Sequence, residues 1–305
     1  MNKKSYKYSA EVADAISAGK PILALESTII AHGMPYPENL EFAQEAESLA
    51  RDLGVVPATI AIIGGMPCIG LEVDELELLA SGDSIEKVAV REIGLVCSKG
   101  LNGATTVSAT MHLANQAGIS VFATGGIGGV HRGVQEYWDI SADLLELSRT
   151  PVIVVSAGAK AILDLPKTLE QLETLSVPVI GYGTREFPAF YSRTSGLELT
   201  AQAHNVAEIA AAYLSQREQE IKSGMLIANP VPEESEIPAE QIEGIIQYAL
   251  ESAERDGVAG KALTPYLLTR IVELTEGRSL VTNRALALNN VKLGSEIALA
   301  LSERA

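Results

Sequence analysis

The chain has 305 residues, of which 47% are hydrophobic, so it can bury a sizeable core as one large domain or two modest ones. Its 39 acidic and 23 basic residues give a formal net charge of −16, which argues against a protein that binds nucleic-acid backbones. Two cysteines, Cys68 and Cys97, offer neither a disulfide framework nor a Cys-x-x-Cys metal motif and suit a reducing compartment. Because no leader-like or membrane-spanning apolar run is visible, we expect a cytoplasmic protein without membrane partners.

The first predicted strand, Pro21–Leu25, ends at a polar loop that begins with Glu26. This loop is rich in Ser, Thr, His, Gly and Pro, and a helix is predicted after it from Glu38 to Leu53. A carboxylate directly after an apolar strand is well placed for acid chemistry. It is equally compatible with a structural carboxylate that receives backbone N–H bonds.

The segment from 58 to 115 is predicted to form three strands and two helices, joined by a glycine turn and a polar loop. These elements are the strands Ala58–Ile63, Cys68–Leu71 and Glu86–Arg91, the helix Glu72–Ala80, the loop Cys97–Gly103 and the helix Ala104–Asn115. Lys87 stands at the head of the third strand, where a lysine at the rim of the sheet is the simpler interpretation.

A glycine-rich loop, Thr124–Gly133, follows the predicted strand Ile119–Ala123. Four of its residues from 125 to 129 are glycine, which lets the backbone approach a ligand closely and turn N–H groups toward a phosphate. The spacing is not the dinucleotide-binding fingerprint, because His131 occupies the position of the third glycine. His131 and Arg132 are potential phosphate donors, so the loop favours anion binding over a plain tight turn.

The segment Asp139–Lys160 carries the densest set of reactive side chains. It begins with two carboxylates and a hydroxyl at a turn, continues through a short helix, and reaches the apolar strand Val152–Val155. Lys160 follows that strand after four small residues, where open α/β sheets place their ligand crevices. A shielded amine there can attack a carbonyl carbon, whereas the alternative is a solvated lysine on the first turn of a helix.

The remainder of the chain is predicted to contain two further strands and five helices. They are the helix Leu169–Leu175, the strand Val177–Tyr182, the helix Val206–Lys222, the strand Gly224–Asn229 and the helices Glu240–Asp256, Leu263–Glu276 and Ser279–Glu303. Asn283 lies among apolar residues of the last helix. A buried amide needs hydrogen-bond partners, so it either contacts a ligand or makes a hydrogen bond between packed helices.

Strands that alternate with helices predict a three-layer α/β/α sandwich around a mostly parallel, mixed sheet. We expect one catalytic domain over residues 1–305, with the helical part from about 238 packed on the same body. Most candidate residues follow predicted strands. A lysine nucleophile with a separate acid indicates Schiff-base chemistry, and a glycine loop with basic neighbours indicates a phosphorylated substrate. The residues alone therefore predict a phosphosugar lyase or aldolase.

Five segments of the chain carry a resemblance to a known family. They are Leu25–Pro37, Thr124–Gly133, Asp139–Leu144, Ser156–Asp164 and Ala228–Pro232. The chain resembles the pseudouridine-5′-phosphate glycosidases, which include indigoidine biosynthesis protein A, from about Ser9 to about Leu301.

The resemblance implies reversible cleavage of the C–C glycosidic bond of pseudouridine 5′-phosphate, to uracil and ribose 5-phosphate, through a lysine imine. It also implies one Mn²⁺ per subunit, a homotrimer and no nucleic-acid partner. Another Schiff-base phosphosugar lyase or aldolase is the alternative.

The resemblance also assigns roles to individual residues. It makes Lys160 the nucleophile, Glu26 the proton donor and Asp139 the metal ligand. The substrate contacts that it implies are Lys87, Val107, Ser141, Ala142 and Asp143, with His131 on the phosphate side and Asn283 on the ribose side. Ser156 is the one visible departure, because a cysteine is common there; it touches no assigned role.

Overall fold

The structure is a computed structural model that describes residues 6–258 and 260–304, which form eleven strands and thirteen α-helices. The strands are β1 Lys7–Tyr8, β2 Ile22–Leu25, β3 Val56–Ile63, β4 Met66–Ile69, β5 Glu86–Val88, β6 Gly103–Thr105, β7 Val121–Ala123, β8 Ile153–Ser156, β9 Val179–Tyr182, β10 Ala201–Ala203 and β11 Met225–Ala228. The helices are α1 Ala10–Ala18, α2 Thr28–His32, α3 Glu38–Asp52, α4 Val73–Ser81, α5 Ile93–Ser98, α6 Val107–Gln116, α7 Val134–Tyr137, α8 Ala142–Leu147, α9 Leu165–Thr174, α10 Val206–Glu218, α11 Ala239–Arg255, α12 Leu263–Leu274 and α13 Arg278–Ser302.

The strands form one sheet in the order β1-β4-β3-β2-β7-β8-β11-β9-β10, with β6 pairing β3 and β5 off this path. The pairs of β3 with β4 and with β6 are antiparallel, and the other pairs in the described chain are parallel. Every residue of the central strands β7, β8 and β11 is buried, which explains why these strands are continuous apolar runs. The predicted mixed, mostly parallel sheet in an α/β/α sandwich is confirmed.

Helix α13 shows how closely the helices pack on the sheet. It contacts β2, β7 and β8, and a Cβ at Gly294 would lie 2.8 Å from Leu23 of β2. Leu286 and Ile297 of the same helix belong to the hydrophobic core that contains the central strands. The glycine therefore allows the helix to approach the sheet where a side chain would hold it away. The division of the chain into domains stays a prediction.

The region from 86 to 116 differs most from the prediction. The segment Cys97–Gly103, predicted as a loop, contains the end of α5 and the start of β6. Helix α6 begins at Val107 rather than at the predicted Ala104. Strand β6 is buried and pairs with both β3 and β5, so sheet pairing decides its conformation although its small residues suit a helix equally well. Among the described residues, every helix is too short or too polar to span a membrane.

Candidate active site

The ten residues to which the family resemblance assigns roles line one cavity of about 350 Å³. They are Glu26, Lys87, Val107, His131, Asp139, Ser141, Ala142, Asp143, Lys160 and Asn283. Arg132, the other potential phosphate donor of the glycine loop, is not among the lining residues and forms an ion pair with Glu243 at 2.6 Å. The cavity opens where β2, β7 and β8 end, and these three strands are neighbours in the sheet. The crevice therefore lies at the carboxyl edge of the sheet, as expected for an open α/β fold.

Glu26 is buried, with 7% of its surface exposed, directly after β2. One of its carboxylate oxygens accepts a hydrogen bond from the Thr28 hydroxyl and the other accepts one from the Thr124 hydroxyl. Both partners of the carboxylate in the described hydrogen bonds are thus side-chain hydroxyls, not the backbone N–H groups that a purely structural role predicts. The two threonines fix the orientation of the carboxylate beside the cavity.

Lys160 lies beyond β8 in an extended segment that pairs with the glycine loop. Ala157 donates its backbone N–H to the Gly125 carbonyl at 2.9 Å, and Lys160 donates its own to the Ile127 carbonyl at 3.0 Å. The following helix, α9, begins only at Leu165, so the alternative of a solvated lysine on a first helical turn is wrong. The side chain is half-buried in the cavity wall.

Gly158 allows this pairing, because its φ is +82° and a Cβ would overlap the Pro188 carbonyl oxygen. Ser156, at the position where the family resemblance leads us to expect cysteine, donates its hydroxyl to the Gly158 carbonyl at 3.0 Å. The serine hydroxyl therefore stabilises the same turn that presents Lys160.

The glycine loop uses much of its backbone inside the protein. The N–H groups of Ile127, Gly128 and Val130 donate to the Gly158 carbonyl, the Asp143 carboxylate and the Thr168 hydroxyl at 3.1, 2.8 and 3.0 Å. These three groups are therefore not available as a phosphate cradle, which corrects that part of the prediction. Gly128 and Gly129 serve close packing instead, because a Cβ at these positions would overlap the side chains of Ser141 and Thr168, respectively.

Asp143 connects three elements around the cavity. Its carboxylate accepts the backbone N–H of Gly128 at 2.8 Å and that of Ser108 in α6 at 2.9 Å. Its own N–H donates to the hydroxyl of Ser141, the residue that caps α8, at 3.2 Å. Only 6% of Asp143 is exposed. Both oxygens of the predicted substrate contact thus hold the glycine loop and α6 in place.

Two lysine side chains, Lys87 and Lys160, act electrostatically on His131. Its Nδ1 lies 3.9 Å from the Asp139 carboxylate, and its backbone N–H donates to the Asp139 carbonyl at 3.0 Å. Burial lowers the pKa of His131, Asp139 opposes this effect, and the positive charges of Lys87 and Lys160 lower the pKa further. Both amines are therefore close enough to act on this ring, and together they favour an anionic ligand.

Several cavity residues were not identified from the sequence. Thr28 and His32 lie on α2, Thr106 precedes α6, and Arg91 follows β5. The first two fall inside the segment Leu25–Pro37, but a five-residue helix gives too short a pattern to show which side chains share a face.

The side chains that could donate to a metal ion determine which kind of metal site the cavity fits. Over residues 6–258 and 260–304, no three His, Cys, Asp or Glu side chains cluster as metal ligands. Asp139 is a single carboxylate, with 41% of its side chain exposed at the cavity. A single carboxylate suits a hard divalent cation that keeps most of its waters and binds substrate phosphate. It is too few ligands for a metal site built wholly from protein side chains.

Comparisons with known proteins agree over nearly the whole chain. A family model described as "Indigoidine synthase A like protein" matches residues 11–300. The chain is 54% identical to a pseudouridine-5′-phosphate glycosidase from Caldanaerobacter subterraneus over 97% of this chain and 96% of the relative. It is 56% identical to one from Solibacter usitatus over 96% and 98%.

Two solved structures share the fold at high similarity. An indigoidine synthase A-like protein from Thermotoga maritima superposes with a TM-score of 0.90 at 40% identity, covering 99% of this chain and 98% of that chain. A prealnumycin C-glycosynthase in complex with ribulose 5-phosphate superposes with a TM-score of 0.91 at 35% identity, with the same coverage.

Proposed function

Because the chain belongs to the indigoidine synthase A-like family, we propose that it is a pseudouridine-5′-phosphate glycosidase. It reversibly cleaves the C–C glycosidic bond of pseudouridine 5′-phosphate to uracil and ribose 5-phosphate. The observation that carries this proposal is that Glu26 and Lys160 line one cavity, at the ends of strands separated by β7 alone. The acid and the amine thereby face the same substrate.

The residue types suit this reaction because the leaving atom is carbon 5 of uracil. An ordinary glycosidase protonates a leaving heteroatom, and a carbon leaving group needs another route. Glu26 protonates the ribose ring oxygen, and the C1′–O4′ bond breaks with its electron pair staying on that oxygen. The C5=C6 electron pair of uracil shifts to form a C1′=C5 double bond while the N1 lone pair forms a bond to C6. The neutral amine of Lys160 then adds to C1′.

The second half of the reaction separates base from sugar. Protonation at uracil C5 allows the C1′–C5 bond to break, as the lysine nitrogen donates its electron pair to C1′. The product is uracil and an imine of ribose 5-phosphate on Lys160, which water hydrolyses to the free sugar and the amine. Thr28 and Thr124 keep the Glu26 carboxylate aimed at the ring oxygen during these steps.

The cationic side of the cavity supports the phosphate in this proposal. Lys87 and His131 lie on that side, and Val107 is the first residue of the ten-residue helix α6, whose N-terminus favours an anion. Asp139 would hold a divalent cation such as Mn²⁺, which would screen and orient the phosphate. Asn283 of α13 also lines the cavity, and its amide would bind the sugar hydroxyls.

A homotrimer is part of the same proposal. Tyr137 and Trp138, beside Asp139, are 78% and 79% exposed, which supports a subunit interface near the cavity mouth. Light scattering after size exclusion measures the assembly directly, and a monomer at micromolar concentration would contradict this part of the proposal.

A uracil-release assay, with and without added Mn²⁺, tests the reaction. Lys160→Ala should abolish turnover, whereas Lys167→Ala, an exposed lysine on α9, should leave it unchanged. Borohydride with ribose 5-phosphate should attach the sugar covalently to Lys160, as seen by peptide mass spectrometry. Full activity of Lys160→Ala would refute the mechanism, and turnover of aldol donors instead of pseudouridine 5′-phosphate would favour an aldolase.

A further inference from the structure

His32 is the last residue of α2 and lines the cavity, but the proposed reaction assigns it no role. In the part of the chain that the structure describes, its Nε2 is the one buried side-chain nitrogen or oxygen without a hydrogen-bond partner. A buried polar atom without a partner is destabilising, and because the His32 ring lines the cavity, a turn of the ring would let a bound ligand supply the partner.

The fold holds His32 firmly at this wall. Helix α2 follows Glu26 almost directly, and His32 lies four residues after Thr28, on the same side of the helix. The Asn39 side chain donates to the carbonyls of Ile30 and Ala80, both at 2.8 Å, and thereby anchors the helix. The helix thus holds His32 at the wall of the cavity that Glu26 also lines.

Two charged groups act on the His32 ring. Burial lowers its pKa, the positive charge of Lys87 lowers it further, and the negative charge of Glu86 opposes both. Lys87 also acts on His131, so this amine lies near both imidazoles. Lys87, His32 and His131 line the same cavity, so an anion that binds at Lys87 has both imidazoles in its electrostatic surroundings.

We propose that His32 is a phosphate-binding residue, whose imidazole N–H donates a hydrogen bond to the substrate phosphate beside Lys87. This inference rests on the proposed function, because the phosphate belongs to the phosphosugar. A half-turn about the Cβ–Cγ bond exchanges the two edges of the ring in the same space and so presents a nitrogen to the ligand. A phosphate dianion beside the ring also favours the imidazolium, so binding raises the pKa of His32 and takes up a proton below neutral pH.

The reaction in the synthetic direction tests the proposal because sugar phosphate and base are then separate substrates. For His32→Ala we expect a KM for ribose 5-phosphate about 10- to 100-fold higher, the range for one charge-assisted hydrogen bond, with an unchanged KM for uracil. His32→Gln, which keeps an N–H at a similar reach, should restore part of the loss. His204→Gln, at an exposed histidine, is the matched control.

Cleavage of unphosphorylated pseudouridine separates the phosphate from the rest of the substrate. Its kcat/KM should be the same in the wild type and in His32→Ala. An equal loss of kcat/KM for pseudouridine and for pseudouridine 5′-phosphate, a changed KM for uracil, or no change in any constant would overturn the assignment.

The wild-type protein provides a second measurement that needs neither turnover nor a folded variant. The chain has four histidines, so their imidazole ¹⁵N signals can be assigned and titrated with pH. Inorganic phosphate should raise the pKa of His32, and a titration that does not respond to phosphate would overturn the proposal. If the wild type fails to release uracil while the His32 signal responds to phosphate, the proposed reaction fails and the phosphate site stands.

Discussion

Replacing Asp143 with asparagine tests whether this residue organises the cavity or only touches the substrate. Its two oxygens accept backbone N–H groups at 2.8 and 2.9 Å, from the glycine loop and from α6. Asparagine keeps one acceptor oxygen but turns an NH₂ group toward the other N–H, whichever way the amide is placed. One hydrogen bond to a charged group is lost and one buried N–H is left without a partner.

These losses set the expected magnitude. A hydrogen bond to a charged group contributes about 1.5–3 kcal/mol and an unsatisfied buried donor costs about 1–3 kcal/mol, so Asp143→Asn should lower the free energy of unfolding by about 2.5–6 kcal/mol. An unfolding entropy of about 2.1 cal/mol/K per residue over 305 residues converts this into a Tm about 4–9 °C lower. Since a shift of about 1 Å can cost 10²-fold in rate, kcat should fall by about that factor.

Calorimetry and the uracil-release assay measure both effects. The matched control is Asp164→Asn, because Asp164 caps α9 by accepting the Lys167 N–H at 3.1 Å and asparagine caps helices equally well. Its Tm and kcat should stay near those of the wild type. An Asp143→Asn protein with the wild-type Tm but a raised KM would refute the organising role and leave a direct substrate contact.

Two further predictions concern Gly128, in the cavity wall, and Glu146 of α8. Gly128→Ala should reduce kcat by at least 10²-fold, because its Cβ would lie 2.7 Å from the Ser141 Cβ. Its control is Gly244→Ala, in open space on α11, which should raise the free energy of unfolding by about 0.5–1 kcal/mol. The uracil-release assay and urea unfolding measure both effects. Burial would raise the pKa of Glu146, but hydrogen bonds from neighbouring side chains, that of His112 first, outweigh it and hold the pKa below its usual 4.5. The stability that Glu146 contributes is therefore present above about pH 4.5 and is lost as pH falls through the lower folded pKa. In Glu146→Gln the urea midpoint should therefore depend less on pH over that acidic range than in the wild type.

The sequence predicts the parts of the fold whose pattern is local. Long amphipathic helices and the buried strands β8 and β11 agree with the structure to within a few residues. Candidate residues that follow different strands meet at one edge because parallel strands end on the same side of a sheet. This topological rule needs no knowledge of the contacts themselves.

Long-range contacts account for what the sequence does not predict. Strand β6 is three small residues whose conformation depends on pairing with β3 and β5, and helix α2 is too short to show a period. The two backbone partners of Asp143 lie 15 and 35 residues away in the chain. The orphan nitrogen of His32 appears only once the neighbours that bury it are known.

The glycine loop serves to keep space open between the acid and the amine. Glu26 follows β2 and Lys160 follows β8, and because β7 lies between them the two strand ends are about 10 Å apart, twice the usual strand spacing. Their side chains must therefore reach toward each other over the end of β7, where Gly125 and Gly126 lie. A Cβ at Gly126 would come within 2.6 Å of the Phe190 ring. Gly125 and Gly126 line the cavity, so larger residues at these positions would narrow the gap in which, in the proposed reaction, a sugar contacts both groups.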